Sequence, residues 1–278
     1  MVKYIDLENI IKDLDSPVLK KMPRFVVKIL TGIIRQKEMN RILNKYSQSI
    51  GVSFLPEILK EFNLKVVVEN PDNLPESGRC IFVANHPFGI IDGLILTHIV
   101  AQKYGTLKAI GNDAFMLVPN LRPLIAAVNV YGQNPKNTIA ALDELYRSET
   151  PVTHFPAGSV SRMYHWKIQD CEWQKSFITK AIATNRPVVP FYFYGRNSSG
   201  FYILEFVRKC FGIKANLELM LLPGEMLRKK NQTIRVKIGK PILPSQFGKS
   251  NTSAYWAQKV REYVYRMGTS EKEINFNE

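Results

Sequence analysis

The stretch from Arg79 to Leu94, RCIFVANHPFGIIDGL, constrains this chain more than any other part of it. It opens with Cys80 to Ala84, an apolar run of the length and composition typical of a buried strand. Pro87 ends that run, because proline lacks a backbone N–H and moves the preceding residue away from helical geometry. The apolar residues after Asp92 predict a helix. A strand, a loop and a helix in this order place His86 and Asp92 at the sheet edge where α/β proteins carry their sites.

His86 and Asp92 have the chemistry of a catalytic pair. A neutral imidazole can take the proton from an alcohol, and a carboxylate on its other nitrogen fixes the tautomer and stabilises the imidazolium. No serine or cysteine lies between them, so direct attack by an acceptor hydroxyl is simpler than a covalent enzyme intermediate. The alternative interpretation is structural, with His86 closing a turn and Asp92 serving as a helix N-terminal carboxylate.

Three motifs in this chain, taken together, resemble those of the glycerolipid (lysophospholipid) acyltransferase superfamily, whose members are PlsC-like. Asn85-His86 followed by Asp92 looks like the first signature of that superfamily. Residues 155–162, FPAGSVSR, resemble its second block, usually written FPEGTRSR. Val188-Val189-Pro190 resembles its last block, an apolar strand with a proline. The order and the rough separations agree over about residues 65–195.

Two departures from the family pattern bear on the acceptor. The motif histidine and aspartate are separated by five residues instead of four, and Gly89 lets this longer loop take an unusual backbone path. The glutamate of the second block is Ala157 and the adjoining arginine is Val160, which leaves Arg162 as the motif's only arginine. The added residue and the FPAG sequence are most similar to the hemolysin-like branch, which includes O-acyltransferases of bacterial amino-acid lipids.

The resemblance implies an O-acyltransferase that uses His86 as the base and Asp92 as its partner. The acyl chain would come from an acyl thioester, on acyl carrier protein or coenzyme A, and no other cofactor and no metal are expected. The acceptor would be a monoacylated amino-acid lipid of the glycine or ornithine type. The alternative is 1-acylglycerol-3-phosphate, the acceptor of ordinary phospholipid synthesis.

The second motif loop is expected to bind the acceptor head group. Gly158 and Ser159 follow a predicted strand and offer backbone N–H groups to an anion. Arg162 adds a forked cation suited to a carboxylate or a phosphate. Its alternative role is a salt bridge with Asp170 or Glu172.

Further candidates have a weaker basis in the sequence. Lys136 stands where the family usually keeps a basic residue. Backbone N–H groups around Gly89 or Gly158 could stabilise an oxyanion. The segment from Phe115 to Ile125 is suited to line an acyl channel and equally to be core. The three other histidines have no matching acid or metal spacing and are expected to be structural or surface residues: His98, His154 and His165.

The charge of the chain calls for an anionic partner. Its 278 residues carry a formal net charge of +14, which suits nucleic acid, an anionic membrane or an acidic carrier protein. Motifs typical of nucleic-acid-binding domains are absent from the sequence, so no nucleic-acid partner is expected. Only the positive charge supports the alternative of a nucleic-acid-binding protein. A catalytically silent lipid-binding protein is a third hypothesis. The three cysteines lack metal-binding spacing.

An anionic membrane surface is the expected site of action. A signal peptide and an apolar run of 18 residues are both lacking, so we expect a peripheral protein on the cytoplasmic face of the bacterial inner membrane. Residues 20–35 interleave lysines and arginines with apolar residues, a pattern typical of a helix in a membrane interface. A helix that packs its apolar side on the core gives the same pattern.

The predicted fold class is α/β, a mainly parallel sheet flanked by helices with an N-terminal helical extension. We expect residues 1–62 to form the extension and a membrane-interface anchor, residues 63–270 the acyltransferase domain and residues 271–278 a tail. Strands are predicted at 64–69, 80–84, 107–110, 128–132, 151–155, 188–194, 217–222 and 233–238. Helices are predicted at 6–14, 20–35, 38–50, 56–62, 94–103, 138–147, 174–184 and 253–267.

Overall fold

The structure, a computed structural model, describes residues 2–13, 20–128, 135–164, 166–213 and 215–277. The strands are β1 (Lys65–Glu69), β2 (Ile81–Ala84), β3 (Lys108–Asn112), β4 (Ile125–Val128), β5 (Val152–His154), β6 (Arg162–Tyr164), β7 (Lys167–Gln169), β8 (Val188–Phe193) and β9 (Thr233–Ile238). The helices are α1 (Leu7–Asp13), α2 (Arg24–Ile33), α3 (Gln36–Lys45), α4 (Phe54–Glu61), α5 (Ile91–Tyr104), α6 (Lys136–Arg147), α7 (Ser176–Thr184), α8 (Ser199–Cys210), α9 (Leu222–Arg228) and α10 (Ser253–Thr269).

Seven of these strands form one mainly parallel sheet. Their order is β1-β9-β8-β2-β5-β3-β4. The five strands from β8 to β4 run parallel, whereas β9 is antiparallel to β8 and parallel to β1. Strands β6 and β7 form a separate antiparallel hairpin. The predicted α/β fold with a mainly parallel sheet and N-terminal helices is confirmed.

Strand β2 lies in the middle of this sheet and explains the long apolar run before the first motif. All four of its residues are fully buried, because helices cover both faces of a parallel sheet. Phe82 and Ala84 belong to a core cluster that includes residues of α4 and α5. Ile81 and Val83 belong to a second cluster that includes residues of α7 and α10. The alternation of side chains along one strand therefore supplies two hydrophobic cores.

The N-terminal helices and the C-terminal segment both join these cores. Leu55 and Ile58 of α4 are buried in the same cluster as Phe82, so the N-terminal region is continuous with the sheet from α3 onwards. Helix α2 begins at Arg24, after Pro23, rather than at residue 20 as predicted. Proline is favoured at a helix start and not inside one, which accounts for the difference. In the predicted tail, Phe276 packs against the second core.

One predicted strand is wrong and another is displaced. Residues 217–222 form a 3-10 turn (Leu217–Leu221) followed by α9, and not a strand. Pro223 in the first turn of α9 favours a helix start there, and the apolar residues cover a small cluster around Phe201. The strand predicted at 128–132 begins earlier in the structure, as β4 at Ile125, and Val128 is the last residue described there. The remainder of that prediction, residues 129–132, lies outside the described residues. Within the described ranges, every helix is too short or too polar to cross a bilayer.

Candidate active site

The two motif loops meet because the strands before them are neighbours. Strands β2 and β5 pair in parallel, so both loops leave the same edge of the sheet. Asn85 anchors the first loop, since its side-chain amide exchanges two hydrogen bonds with the backbone of Phe193 on β8, at 3.0 and 2.7 Å. The backbone N–H of Ser161 donates to the carbonyl of His86 at 2.8 Å, which ties the second loop to the first.

His86 and Asp92 lie side by side at this edge. The Nδ1 atom of His86 is 3.1 Å from Oδ2 of Asp92, and the imidazole stacks on the ring of Phe155 with centroids 4.0 Å apart. The ring N–H is not well aligned with the oxygen, a common state of catalytic hydrogen bonds before substrate binds. The opposite nitrogen, Nε2, makes no hydrogen bond within the described part of the chain. The ring is therefore held on one edge and open on the other.

The carboxylate of Asp92 is fixed by backbone donors. Its Oδ2 atom accepts hydrogen bonds from the N–H groups of Phe88 at 2.8 Å and Gly89 at 3.2 Å. Its Oδ1 atom accepts one from Gly93 at 2.9 Å. The side chain is 0% exposed and lies in the first turn of α5, where the helix dipole favours a negative charge. The helix-terminal role and the role of histidine partner are thus compatible in one residue.

An apolar cavity of about 490 Å³ opens beside the imidazole. His86 lines it, together with Gly89 from the first loop and Phe155 and Gly158 from the second. Apolar side chains make up much of its wall, including Leu94, Phe115, Leu121, Leu124, Ile125 and Leu142. Residues of the segment from Phe115 to Ile125 thus line the cavity, and two of them, Leu121 and Leu124, also belong to the main core.

His154 lines the same cavity and is not charged at neutral pH. Burial lowers the pKa of His154 to about 4, because its ring has lost water without gaining a charged partner. His98 is half-buried, and burial lowers its pKa as well. His165 lies outside the described residues.

Arg162 is buried in a cluster of charges. Its Nη2 atom lies 3.0 Å from Oε1 of Glu218 and its Nη1 atom donates to the carbonyl of Val160 at 2.8 Å. Glu205 is 3.8 Å from its Nε atom. Arg208 also binds Glu218, at 2.8 Å. The alternative partners expected from the sequence, Asp170 and Glu172, do not pair with it.

A second, polar pocket of about 320 Å³ adjoins this cluster. Three of the predicted acceptor-binding residues line it together, namely Gly158, Ser159 and Arg162. Gly158 has a φ of +64°, a conformation that glycine adopts without strain, and it lines the apolar cavity as well. Lys136 is elsewhere, exposed at the start of α6, although Ile139 one turn later lines the apolar cavity.

Comparison with known proteins identifies the family. A family model described as "Acyltransferase" matches residues 10–270. The chain belongs to this acyltransferase family. Two curated relatives, each named lyso-glycine lipid O-acyltransferase, come from Phocaeicola vulgatus (39% identical) and Bacteroides thetaiotaomicron (38% identical). Each alignment spans 264 residues and covers 95% of this chain and 95% or 97% of the relative.

One solved structure is similar as well. It is the 1-acyl-sn-glycerophosphate acyltransferase PlsC from Thermotoga maritima, with 18% sequence identity and a TM-score of 0.48. The match covers 91% of this chain and 100% of that one.

Asp170 is a functional candidate of the acyltransferase that sequence reasoning missed. Its Oδ1 atom accepts hydrogen bonds from the backbone N–H of His86 at 3.2 Å and the hydroxyl of Ser161 at 2.6 Å. Its Oδ2 atom accepts one from the indole of Trp173 at 2.9 Å. Burial raises the pKa of Asp170. This buried carboxyl group therefore joins both motif loops and fixes the backbone of His86.

Among the backbone N–H groups around Gly89 and Gly158 that were predicted to bind an oxyanion, those of the two glycines themselves are occupied. Gly89 donates to Asp92, and Gly158 donates to the carbonyl of Phe155 at 3.0 Å. Neither is available to a reacting carbonyl oxygen in this arrangement. Among the described residues, no group of three or more acidic, histidine or cysteine side chains is placed to hold a metal ion.

Proposed function

We propose that this acyltransferase moves an acyl chain from an acyl thioester to the hydroxyl of a monoacylated amino-acid lipid of the glycine-lipid type. The observation that carries the proposal is the placement of His86. Its ring faces an apolar cavity suited to an acyl chain, and a polar pocket suited to a head group lies next to that cavity. The names of the two curated relatives support the same acceptor class.

His86 acts as the base in this proposal. The acyl chain lies in the apolar cavity with its thioester carbonyl near Nε2. As the acceptor hydroxyl attacks the carbonyl carbon, Nε2 takes its proton, and Asp92 stabilises the imidazolium that results. The tetrahedral intermediate then expels the thiolate, the C–S bond breaks, and the imidazolium returns the proton to sulfur. No covalent enzyme intermediate is needed.

The polar pocket holds the acceptor's head group. A free carboxylate of a glycine lipid binds Arg162 and the loop at Gly158 and Ser159, competing with the glutamates that engage this arginine. A monoanionic carboxylate fits a guanidinium bidentately. A dianionic phosphate needs more positive charge than Arg162 has free. Lys136 is a further contact for a charged part of the substrate.

The donor and the place of action complete the proposal. The donor is acyl carrier protein or coenzyme A, both acidic, and the basic chain attracts either one. The enzyme binds the cytoplasmic face of an anionic inner membrane, with residues 1–62 contributing to that contact. In α2, Phe25 and Ile29 are exposed next to Arg24 and Lys28, which suits an interfacial helix.

A competition assay tests the acceptor. The purified enzyme receives one acyl donor and equal amounts of monoacyl glycine lipid and 1-acylglycerol-3-phosphate, and both diacyl products are quantified. We expect the glycine lipid to be the preferred acceptor. A preference for 1-acylglycerol-3-phosphate would overturn the proposed acceptor. If neither acceptor gives product, the proposed catalysis is overturned and a lipid-binding role is favoured. The His86→Ala enzyme measures the background.

A further inference from the structure

Helix α8 buries two charged residues on its inner face and exposes large apolar residues on its outer face. Glu205 and Arg208 are buried on its inner face, beside Phe201 and Tyr202. On the opposite face, Ile203, Phe206 and Val207 are exposed, Phe206 at 68%. A helix on the surface of a soluble domain normally shows the reverse arrangement. The outer face therefore calls for an apolar partner.

The exposed apolar surface continues beyond the helix. Phe211, directly after α8, is 77% exposed, and Ile213 is also exposed. Trp166, in the turn of the β6–β7 hairpin, is 93% exposed. This hairpin lies beside α8, because Lys209 sits over the ring of Tyr164 at 5.5 Å. We call Ile203, Phe206, Val207, Phe211, Ile213 and Trp166 the α8 surface.

We propose that the α8 surface inserts into the interface of an anionic lipid bilayer. Tryptophan and phenylalanine side chains suit the boundary between lipid and water. The exposed Lys167, directly after the tryptophan, can reach lipid phosphates with its ammonium group while its stem lies along apolar groups. The net charge of +14 favours acidic lipids over a neutral surface or a second basic copy of this chain.

The inner face of α8 explains what such docking does for the enzyme, and this step rests on the proposed function. Glu205, Arg208 and Lys209 line the polar pocket together with Ser159 and Arg162. A bilayer that holds the outer face of α8 brings this pocket to the level of the lipid head groups. An acceptor can then reach the pocket with its head group while its chain remains in an apolar environment. Helices α2 and α8 both contact the turn Leu217–Leu221. The α8 surface therefore adds to the membrane contact proposed for the N-terminal helices.

Vesicle sedimentation tests the surface in the full chain. The probe is a vesicle of phosphatidylglycerol and phosphatidylcholine. The double variant Phe206→Ser/Phe211→Ser should bind at least about tenfold more weakly than the wild type, because two large apolar side chains no longer enter the bilayer. The matched control is Ile182→Ser/Tyr255→Ser, which removes apolar side chains exposed at 45% and 43% on α7 and α10. Equal binding by the two double variants overturns the proposal.

Tryptophan fluorescence gives an independent measurement. Phosphatidylglycerol with brominated chains should quench the wild-type emission, and Trp166→Phe should abolish that quenching, because Trp173 is buried and Trp256 packs half-buried against the second core. Quenching that persists in Trp166→Phe, or is absent in the wild type, overturns the proposal. So does a wild-type dimer in light scattering that Phe206→Ser/Phe211→Ser converts to a monomer.

Activity separates this inference from the proposed function. With a short-chain acceptor below its micelle concentration, the Phe206→Ser/Phe211→Ser variant should match the wild type. With acceptor embedded in vesicles, its rate should fall at least about tenfold. If the acceptor assignment is wrong, both rates are near background while the vesicle-binding difference persists. An equal rate on embedded acceptor overturns the role of the surface in catalysis.

Discussion

Replacing Asp92 by asparagine separates the charge of this residue from its hydrogen bonds. The carboxylate accepts three backbone hydrogen bonds, two at Oδ2 and one at Oδ1, and Oδ2 also faces His86. Asparagine has a single oxygen. The variant keeps the most hydrogen bonds if this oxygen takes the Oδ2 position, because the N–H groups of Phe88 and Gly89 and the imidazole then keep their acceptor. Only the N–H of Gly93 loses its partner.

These contacts set the size of the expected changes in stability and in kcat. One buried donor without an acceptor costs about 1–3 kcal/mol of unfolding free energy. For a chain of this size that corresponds to a fall in Tm of about 2–4 °C per kcal/mol. The histidine tautomer is kept, so the loss in kcat comes from the missing negative charge. A hydrogen bond to a charged group is worth about 1.5–3 kcal/mol, which predicts a fall in kcat of roughly 10- to 100-fold.

The assay combines thermal unfolding with thiol release from the acyl donor at saturating acceptor. His86→Ala is the companion variant and should lose at least about 100-fold in kcat. Its Tm should change little, because the imidazole contributes chiefly a stack on Phe155 and the contact with Asp92. A wild-type kcat in Asp92→Asn refutes the electrostatic role of Asp92. A fall of about 10⁴-fold indicates instead that the amide has turned and imposed the wrong tautomer.

Three further predictions concern other positions. The folded-state pKa of His154 is about 4, below its ordinary 6.5, so its contribution to stability is full above pH 6.5 and is lost as pH falls through 4. Unfolding curves from pH 7 to 4 should therefore show a fall of up to about 3 kcal/mol in the free energy of unfolding, and His154→Gln should lack this fall. Arg162→Lys should lower kcat/KM strongly for monoacyl glycine lipid and less for 1-acylglycerol-3-phosphate, because a point charge cannot bind a carboxylate bidentately. Equal losses of kcat/KM for the two acceptors would contradict this role of Arg162. Denaturation of Gly89→Ala, Val160→Ala and the double variant should give a coupling energy of about 0.5–3 kcal/mol, whereas additive changes would argue against contact.

The position of the His86–Asp92 pair follows from local sequence. An apolar run marks β2, Pro87 ends the regular structure, and α5 begins directly after the loop. The loops that follow parallel strands lie at the same edge of the sheet. The FPAG segment therefore meets His86 because it follows β5, the neighbour of β2. The family and the fold could be predicted for the same reason, since both depend on short motifs and their order.

Pairings between distant residues leave no such local signal. Glu218 lies 56 positions from Arg162 along the chain, in a segment whose apolar neighbours predict a strand. Asp170 follows a hairpin that the sequence does not mark, and its partners come from both motif loops. In α8, apolar residues occur on both faces, and the buried side is decided by ion pairs of Glu205 and Arg208 with partners elsewhere. Burial of a charged residue is therefore a tertiary property.

The two departures from the family pattern are explained by a single contact. Gly89, in the lengthened loop, has a φ of +87°, which disfavours any residue with a side chain. A Cβ atom there would lie 2.8 Å from a methyl group of Val160 and 2.9 Å from one of Leu222. The longer loop thus packs its backbone against the position where the family has an arginine, and an arginine would have to turn its charge away from this packed apolar site. The extra residue and the valine therefore belong together, and Arg162 lines the polar pocket without a second motif arginine.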